Sequence, residues 1–361
     1  MYSLIRTLLF QLKPESVHEL IIAFSRFAGQ FQAIRSLLEK TSQYEDSRLN
    51  VSVGNLDFPN PIGLAAGFDK NGQAVDMLQS LGFGAIEVGT VTPKAQPGNP
   101  KPRLFRLKED QAMINRMGFN NDGVNALVER LRGSRKKIPI GINLGKNKST
   151  EIDEAVEDYL IGLYRARKVA DYFTINISSP NTKNLRNLQQ ESYLYPLIRR
   201  IMETRDQLAS KSGKSKQIWL KIAPDLSDQE LEIIVGIALE LKVDALIVNN
   251  TTISRPDLIS EYRNEVGGLS GKPIACLSDQ ILKKTYELTR GKIPIIGVGG
   301  IFSAEDVFRK ISLGASMVQI FTGLIYKGPG LVKKINRELI RLMDKSNCRG
   351  IKDLTACAVK K

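Results

Sequence analysis

The sequence is poor in two side chains that many enzymes use for catalysis, histidine and cysteine. Of its 361 residues, one is a histidine, His18, and three are cysteines, Cys276, Cys348 and Cys357. A single histidine in an N-terminal helical pattern argues against a Ser-His-Asp hydrolase. The cysteines lack metal-ligand spacing and their odd number gives no disulfide framework, so a reducing compartment is expected.

Long apolar runs are also missing. No stretch approaches the ~20 apolar residues that a membrane-spanning helix needs. The early segment TLLFQL is too short for a signal peptide and lacks its cleavage pattern. The sequence therefore disfavours both a spanning helix and secretion.

Positive charge is abundant but dispersed. The formal net charge is +14, yet no basic run is longer than RKK at 135–137. Nucleic-acid binding usually shows as a clustered basic patch, so the pattern does not favour it. An anionic bilayer or a negatively charged small substrate is the remaining explanation for the charge.

The first forty residues differ from the rest in their residue pattern, which suggests a segment 1–40 attached to a main domain 41–361. Apolar residues recur at helical spacing on both sides of Pro14, and we predict two short helices from them. Basic residues flank the apolar stripe. The stripe could pack onto the main domain, or it could lie in a membrane interface.

After about residue 49, short apolar runs alternate with helical patterns. Eight strands, each followed by a helix, predict an α/β fold of the closed (β/α)8 TIM-barrel type. An open doubly wound sheet is the rival, but GLAAGFDKNG after the first strand has no GxGxxG. Long connections at 92–121 and 251–275 predict lids or walls. The predicted strands are 61–67, 85–91, 138–144, 172–178, 218–224, 245–250, 293–300 and 317–323.

Polar side chains are predicted at the carboxyl ends of these strands, where a barrel gathers them on one face. The set is Lys70, Thr90, Asn143, Asn176, Ser179, Asn181, Lys221, Asn250 and Thr251. Asparagine offers both a donor and an acceptor, so such a pocket suits a neutral amide-bearing heterocycle. A lysine inside the apolar run IWLKIAP is notable because buried lysines are rare.

The last two strands end in glycine-rich segments, GVGGIFSAED and FTGLIYKGPG. Their glycines would let backbone N–H groups approach a phosphate, and Ser303 with Asp306 predicts a helix N-cap. No carboxylate pair or His/Cys cluster stands at the strand ends, so we expect neither glycoside hydrolysis nor a metal site. The difficult chemistry would then fall to an organic cofactor.

Ordered motifs over nearly the full length make the sequence resemble the class 2, quinone-dependent dihydroorotate dehydrogenases. They are GLAAGFDKNG, EVGTVTPKAQPGNPKPRLFRL, INRMGFNNDG, GINLGKNK, NISSPNT, LKIAPDL, VNNTT, GGLSG, GVGGI and FTGLIYKGP. The resemblance implies a barrel that carries FMN and oxidises dihydroorotate to orotate in pyrimidine (UMP) biosynthesis. It also implies an N-terminal helical extension that sits on the membrane and admits ubiquinone or menaquinone.

The resemblance also implies roles for individual residues. Ser179 would be the base that removes a proton from C5 of dihydroorotate while hydride leaves C6, with Thr182 as a neighbour. The pyrimidine would contact Lys70, Asn115, Arg116, Met117, Gly118, Phe119, Asn176, Asn181, Asn250 and Thr251. FMN would contact Ala66, Gly67, Phe68, Asp69, Lys70, Thr90, Asn143, Asn176, Lys221, Asn249, Gly271, Gly300, Phe321 and Thr322. The quinone tunnel would contact His18, Arg103, Arg106 and Phe321.

Two positions depart from the family pattern. Phe321 stands where many members have tyrosine, and Asn249 stands where threonine is common. The start of the chain shows no Arg- and Ser-rich transit segment, which favours the cytoplasmic side of a bacterial inner membrane, with peripheral attachment. A flavin-free barrel isomerase or aldolase, and a non-catalytic membrane-attached protein, remain as alternatives.

Overall fold

Three helices precede the main domain. The computed structural model describes residues 2–359, and it begins with α1 (Tyr2–Leu9), α2 (Pro14–Ala28) and α3 (Gln32–Ser42). The prediction of two helices was wrong because the stripe after Pro14 breaks at Gly29. A Cβ at Gly29 would lie 3.3 Å from the Met77 Cβ, and Arg35 donates a hydrogen bond to the Gly29 carbonyl.

An antiparallel hairpin leads from the helices to a closed barrel of eight parallel strands. The hairpin strands are β1 (Val51–Val53) and β2 (Leu56–Phe58). The barrel strands are β3 (Ile62–Leu64), β4 (Ala85–Val91), β7 (Ile140–Leu144), β8 (Tyr172–Asn176), β9 (Gln217–Ile222), β10 (Ala245–Val248), β12 (Ile295–Val298) and β13 (Met317–Ile320). They close in the order β10-β12-β13-β3-β4-β7-β8-β9. All eight predicted strands and the barrel itself are confirmed.

Helices surround the barrel, as both-face burial of its parallel strands requires. They are α4 (Val75–Gln79), α5 (Val124–Arg132), α6 (Ala155–Ala166), α7 (Glu191–Ser212), α8 (Asp228–Glu240), α9 (Ala275–Thr289), α10 (Ala304–Ser312), α11 (Thr322–Lys327), α12 (Leu331–Lys345) and α13 (Ile351–Leu354). Within residues 2–359, no helix is both long and apolar enough to cross a bilayer.

Aromatic packing fills the amino-terminal end of the barrel. The rings of Tyr172 and Trp219 stack with centroids 3.7 Å apart. A Cβ at position 141 would lie 2.1 Å from Cζ of Tyr172, so only glycine fits opposite this ring. Gln217 Nε2 donates to the Val53 carbonyl at 2.7 Å, which fastens the hairpin to this end. The hairpin therefore covers the end of the barrel opposite the predicted site.

A small antiparallel sheet stands over the carboxyl ends of the strands. It consists of β5 (Leu104–Leu107), β6 (Ala112–Asn115) and β11 (Gly268–Gly271), in the order β11-β6-β5. Its strands come from the two long connections, which were predicted as walls without this sheet. Helix α1 joins the same end, where Tyr2 Oη donates to the Ile325 carbonyl at 2.6 Å.

Candidate active site

One cavity of about 580 Å³ opens at the carboxyl ends of the barrel strands. The barrel, the small antiparallel sheet, α1 and α2 all contribute to its lining. Its size lies within the usual range of about 300–1,000 Å³ for ligand pockets. The predicted residues that line it are His18, Ala66, Gly67, Phe68, Lys70, Thr90, Asn115, Met117, Gly118, Phe119, Asn176, Ser179, Asn181, Lys221, Asn249, Asn250, Thr251, Gly271, Gly300, Phe321 and Thr322.

Five predicted site residues lie outside this lining: Asp69, Asn143, Arg103, Arg106 and Arg116. Two of them are occupied by protein contacts away from the cavity. The Asp69 carboxylate accepts backbone hydrogen bonds from Gln73 and Ala74 at 2.9 and 2.7 Å. Arg116 pairs with Glu265 at 2.6 Å. Asp69 therefore shapes the turn that carries Lys70, and Arg116 fastens the β11 connection.

A buried carboxylate that the sequence reasoning missed organises the barrel interior. Glu87 on β4 is 0% exposed. Its oxygens accept hydrogen bonds from Asn143 Nδ2 at 2.8 Å, Thr174 Oγ1 at 3.0 Å and Gln319 Nε2 at 2.8 Å. A charged side chain within the apolar run AIEVGTV was the available signal, of the same kind as Lys221.

Asn143 connects Glu87 to two residues of the cavity wall by hydrogen bonds. Thr90 Oγ1 donates to Asn143 Oδ1 at 2.5 Å, and Asn176 Nδ2 donates to the same oxygen at 3.1 Å. Asn176 Nδ2 also lies 3.0 Å from Thr90 Oγ1. Asn143 thus lies behind the wall and fixes the rotamers of two residues that line it.

The segment after β8 brings Ser179 to the cavity. Ser179 is 6% exposed, and its Oγ accepts a hydrogen bond from the Asn181 backbone N–H at 3.2 Å. Asn181 Nδ2 in turn donates to Asn115 Oδ1 at 3.1 Å, across to the small sheet. The buried Thr182 Oγ1 has no hydrogen-bond partner. The hydroxyl of Ser179 therefore lies on the cavity wall in a largely buried position, with a backbone N–H directed at its oxygen.

Two lysines give the cavity positive charge. Burial lowers the pKa of Lys70 to about 8, an effect that the charge of Glu15 opposes. Burial also lowers the pKa of Lys221, with the charge of Glu87 opposing it. A bound anion beside either ammonium would favour its charged form.

Several features of the wall suit a flavin. Both side-chain polar atoms of Asn249 and the Oε1 of Gln319 are buried without a partner, although Asn249 and Gln319 line the cavity. Gly300 lines the cavity with φ +71°, and a Cβ there would lie 2.5 Å from the Ala275 Cα, so only glycine fits and the position presents bare backbone. Unpaired amide groups and bare backbone are what a polar planar ring with a phosphate would need.

The predicted N-cap after the seventh barrel strand is present. Ser303 Oγ accepts from the Asp306 N–H at 3.4 Å, and Asp306 Oδ2 accepts from the Ser303 N–H at 3.0 Å. Neither side chain lines the cavity. Because this helix start is capped by its own residues, the glycines before it are better placed for a phosphate.

The other end of the cavity is apolar and lies between α1, α2 and the barrel. The ring of Phe68 lies edge-on to His18 and to Phe321, with centroids 5.3 and 5.9 Å apart. Burial and the charge of Lys70 lower the pKa of His18 to about 3, so this imidazole is neutral at physiological pH. The nearby helix residues that line this end are Ile5, Leu9, Phe10, Val17, Ile21 and Phe24.

Arg103 and Arg106 stand beside this apolar end and contact the helical segment. Arg103 Nη2 pairs with Glu15 of α2 at 2.8 Å, and Arg103 Nη1 donates to the Pro97 and Asn99 carbonyls. The Arg106 guanidinium lies 4.0 Å from the centroid of the Phe10 ring. The contact of Arg103 and Arg106 with a quinone stays a prediction. In the structure, these two arginines attach the helical segment to the main domain.

A large apolar face of the three helices remains uncovered. It comprises Leu4, Ile5, Leu8, Leu12, Leu20, Phe24, Phe27, Phe31, Ile34 and Leu37, each between 37% and 74% exposed. The opposite side of α2 is buried against the barrel through residues such as Val17 and Ile22. The packing alternative is therefore confirmed for one side of α2, and the other side has no cover within residues 2–359. A membrane interface at this uncovered face stays a prediction.

Comparison with known proteins decides the family. The family model described as Dihydroorotate dehydrogenase matches residues 48–343. The chain belongs to the dihydroorotate dehydrogenase family. The protein from Christiangramia forsetii named Dihydroorotate dehydrogenase (quinone) is 49% identical over 94% of this chain and 98% of its own. The protein of that name from Gloeobacter violaceus is 46% identical over 99% of both.

Solved structures of the family share the fold. The Eimeria tenella DHODH crystal structure in complex with ferulenol superposes with a TM-score of 0.87 at 37% identity, covering 96% of each chain. The ligand-free Eimeria tenella structure gives a TM-score of 0.84 over 94% of this chain. The relatives named Dihydroorotate dehydrogenase (quinone) and the solved DHODH structures therefore each match this chain over almost its entire length.

Proposed function

We propose that this chain oxidises dihydroorotate to orotate with FMN as its cofactor and a membrane quinone as the electron acceptor, in pyrimidine biosynthesis. The observation that carries the proposal is a single cavity with two different ends. Ser179, Lys70 and the asparagines form a polar end, and α1 and α2 form an apolar end. Such a cavity suits a charged heterocycle and a lipid-soluble acceptor.

The polar end would bind and activate the pyrimidine. Lys70 would pair with the carboxylate of dihydroorotate, and Asn115, Asn181 and Asn250 would bond the ring amides and carbonyls. Ser179 Oγ would take the proton from C5 as the C6–H bond breaks. Because serine is a weak base, this step requires a held hydroxyl and little access of water. The hydrogen bond from the Asn181 N–H and the 6% exposure of Ser179 support the proposal.

FMN, when bound, would accept the hydride from C6 and deliver two electrons to the quinone, which takes up two protons. Asn249, Gln319, Thr90 and Gly300 would hold it, because they line the cavity with unpaired amides, fixed rotamers or bare backbone. Lys221 would place a positive charge near the ring, where negative charge develops on reduction. The fixed Thr90 and Asn176 rotamers depend on Asn143 behind them.

The proposed site of action is the cytoplasmic face of a bacterial inner membrane. The uncovered apolar face of α1–α3 would lie in the bilayer interface, and ubiquinone or menaquinone would enter between α1 and α2. Basic residues near this face, such as Arg6 and Arg26, would favour anionic lipid. The attachment proposed is peripheral.

The test of the reaction is a visible spectrum of the purified protein. We expect flavin absorbance that bleaches on anaerobic addition of dihydroorotate and returns on addition of a quinone. A colourless protein would instead favour a flavin-free isomerase or aldolase. In Ser179→Ala we expect FMN to be retained and bleaching by dihydroorotate to be lost, whereas unchanged bleaching would refute the role of Ser179.

The test of the membrane role is flotation with anionic phospholipid vesicles. Leu20→Glu combined with Leu37→Glu places charges on the uncovered face at positions that do not line the cavity. We expect this variant to lose vesicle binding. Ile161→Glu on α6 is the matched control, since Ile161 is also exposed, at 42%. Removal of residues 1–40 should abolish quinone reduction and leave FMN bound, and unchanged quinone kinetics would contradict this.

A further inference from the structure

We propose that Arg186 is a positioning residue that holds the segment carrying Ser179 against the segment carrying Thr251. This inference rests on the proposed function, because it concerns the same substrate site. Arg186 itself does not line the cavity. It would act on the reaction through the backbone of its two neighbours.

The contacts of Arg186 use three separate nitrogens of the guanidinium. Nε donates to the Ser178 carbonyl at 3.1 Å, and Nη2 donates to the Thr251 carbonyl at 3.0 Å. Nη1 donates to Asp225 Oδ2 at 2.8 Å. The three partners follow β8, β10 and β9, which are neighbours in the barrel. One planar group therefore joins the ends of three adjacent strands.

Asp225 extends this connection along the segment after β10. Its carboxylate accepts hydrogen bonds from Thr252 Oγ1 and from the Ile253 N–H. Arg186 and Asp225 are both largely buried, with side chains 21% and 15% exposed. The ion pair thus ties residues 251–253 to the carbonyl that precedes Ser179 in the chain.

The geometry explains why this position needs arginine. The guanidinium is rigid, planar and always charged, and it can donate in three directions at once. A lysine offers a single nitrogen on a flexible stem and cannot reach all three acceptors. The peptide that begins with the Ser178 carbonyl leads directly into Ser179, so its rotation would move Oγ. A displacement of about 1 Å in a reacting group can cost about 100-fold in rate.

The chain offers a matched control for the loss of such an arginine. Arg205 on α7 pairs with Asp244 at 3.0 Å, and Asp244 also accepts from the Ile218 N–H at 2.7 Å. Arg205 is 15% exposed. This pair joins α7 to the amino-terminal ends of β9 and β10, at the far side of the barrel from the cavity. Arg205→Met thus removes a similar ion pair without touching the site.

The experiment compares Arg186→Met, Arg186→Lys and Arg205→Met as FMN-loaded full-length proteins. For Arg186→Met we expect flavin reduction by dihydroorotate to slow by about 100-fold. Reoxidation by quinone of flavin reduced with dithionite should keep its wild-type rate. Orotate binding measured by calorimetry should weaken, and amide hydrogen exchange in residues 177–184 and 250–253 should accelerate. Arg186→Lys should recover part of the rate, and Arg205→Met should match the wild type.

Each outcome decides the inference. Wild-type flavin reduction in Arg186→Met would overturn it, and so would an equal loss in Arg205→Met. If Arg186→Met does not fold, Asp225→Asn is the alternative variant, because it removes the charge of the partner. It should slow flavin reduction by about tenfold, which corresponds to about 1.4 kcal/mol in the activation free energy. A wild-type rate in Asp225→Asn also overturns the inference. A wild-type protein that dihydroorotate does not reduce overturns the proposed function itself, which separates the two failures.

Discussion

Removal of Arg103 should detach α2 from the barrel while the polar end of the cavity keeps its function. Arg103 is 6% exposed and Glu15 is 9% exposed, and their pairing is the most buried ionic contact between α2 and the segment that leads into β5. Arg103→Met would leave the Glu15 carboxylate buried with Lys101 as its neighbour, at 3.4 Å. That lysine is 57% exposed and can replace only part of the lost interaction.

The expected magnitude follows from this geometry. Loss of one partner of a buried ion pair costs about 3–5 kcal/mol. Because Lys101 remains near Glu15, we expect about 3 kcal/mol, the lower end of that range. At about 1.4 kcal/mol for each factor of ten, the open population of α2 should rise by roughly 100-fold.

Amide hydrogen exchange in residues 17–28 measures this opening directly. We expect protection there to fall by roughly 100-fold in Arg103→Met, and the rate of quinone reduction to fall with it. Flavin reduction by dihydroorotate should stay close to wild type, because Ser179 and Lys70 are held by the barrel. The double variant Glu15→Gln with Arg103→Met removes both charges and should regain much of the protection. Unchanged protection in Arg103→Met, or no recovery in the double variant, would refute the reasoning.

Three further predictions concern the charged groups of the site. Burial lowers the pKa of Lys70 to about 8, and a bound carboxylate favours the charged form of this lysine. The affinity for orotate should therefore decline as the pH rises above about 8. Calorimetric titration should find no such decline in Lys70→Met. Burial raises the pKa of Glu15, but the hydrogen bond and charge of Arg103 outweigh burial and hold this pKa below its usual value. The stabilisation from the pair is therefore present above the ordinary glutamate pKa and is lost as the pH falls through the lowered pKa. Amide hydrogen exchange in α2 measured across acidic pH would show this loss. Glu87→Leu should lower the free energy of unfolding by about 3 kcal/mol or more, since four buried donors, the Tyr172 hydroxyl included, lose their acceptor at about 1–3 kcal/mol each. Glu87→Gln should lose less, and urea denaturation that ranks the two variants equally would contradict this.

The barrel could be predicted because its signal is local. Each strand is a short apolar run, and the alternation with helices leaves few other arrangements. The small antiparallel sheet could not be predicted in this way. It is made of four-residue strands from connections 92–121 and 251–275 that pair with each other only in the fold. The end of α2 did have a local signal, because Gly29 is a poor helix former.

The site was predictable to the extent that it lies at strand ends. Ser179, Lys70 and Lys221 follow from that rule and from the family resemblance, and the structure gathers them in one cavity. The contacts behind the wall escaped prediction. Glu15 and Arg103 are separated by 88 residues, and no local pattern pairs them. Glu87 did leave a signal, since a carboxylate inside an apolar strand requires buried donors around it.

The cavity is continuous from Ser179 to the uncovered face of α1–α3, so one reactant would arrive dissolved in water and the other dissolved in lipid. The catalyst would therefore operate at a phase boundary. The rate of electron transfer to the acceptor would then depend on the number of acceptor molecules per unit of bilayer area rather than on the bulk concentration of the acceptor. In a vesicle assay, adding lipid while the amounts of enzyme and acceptor stay constant should slow turnover, although the volume concentrations of enzyme and acceptor do not change.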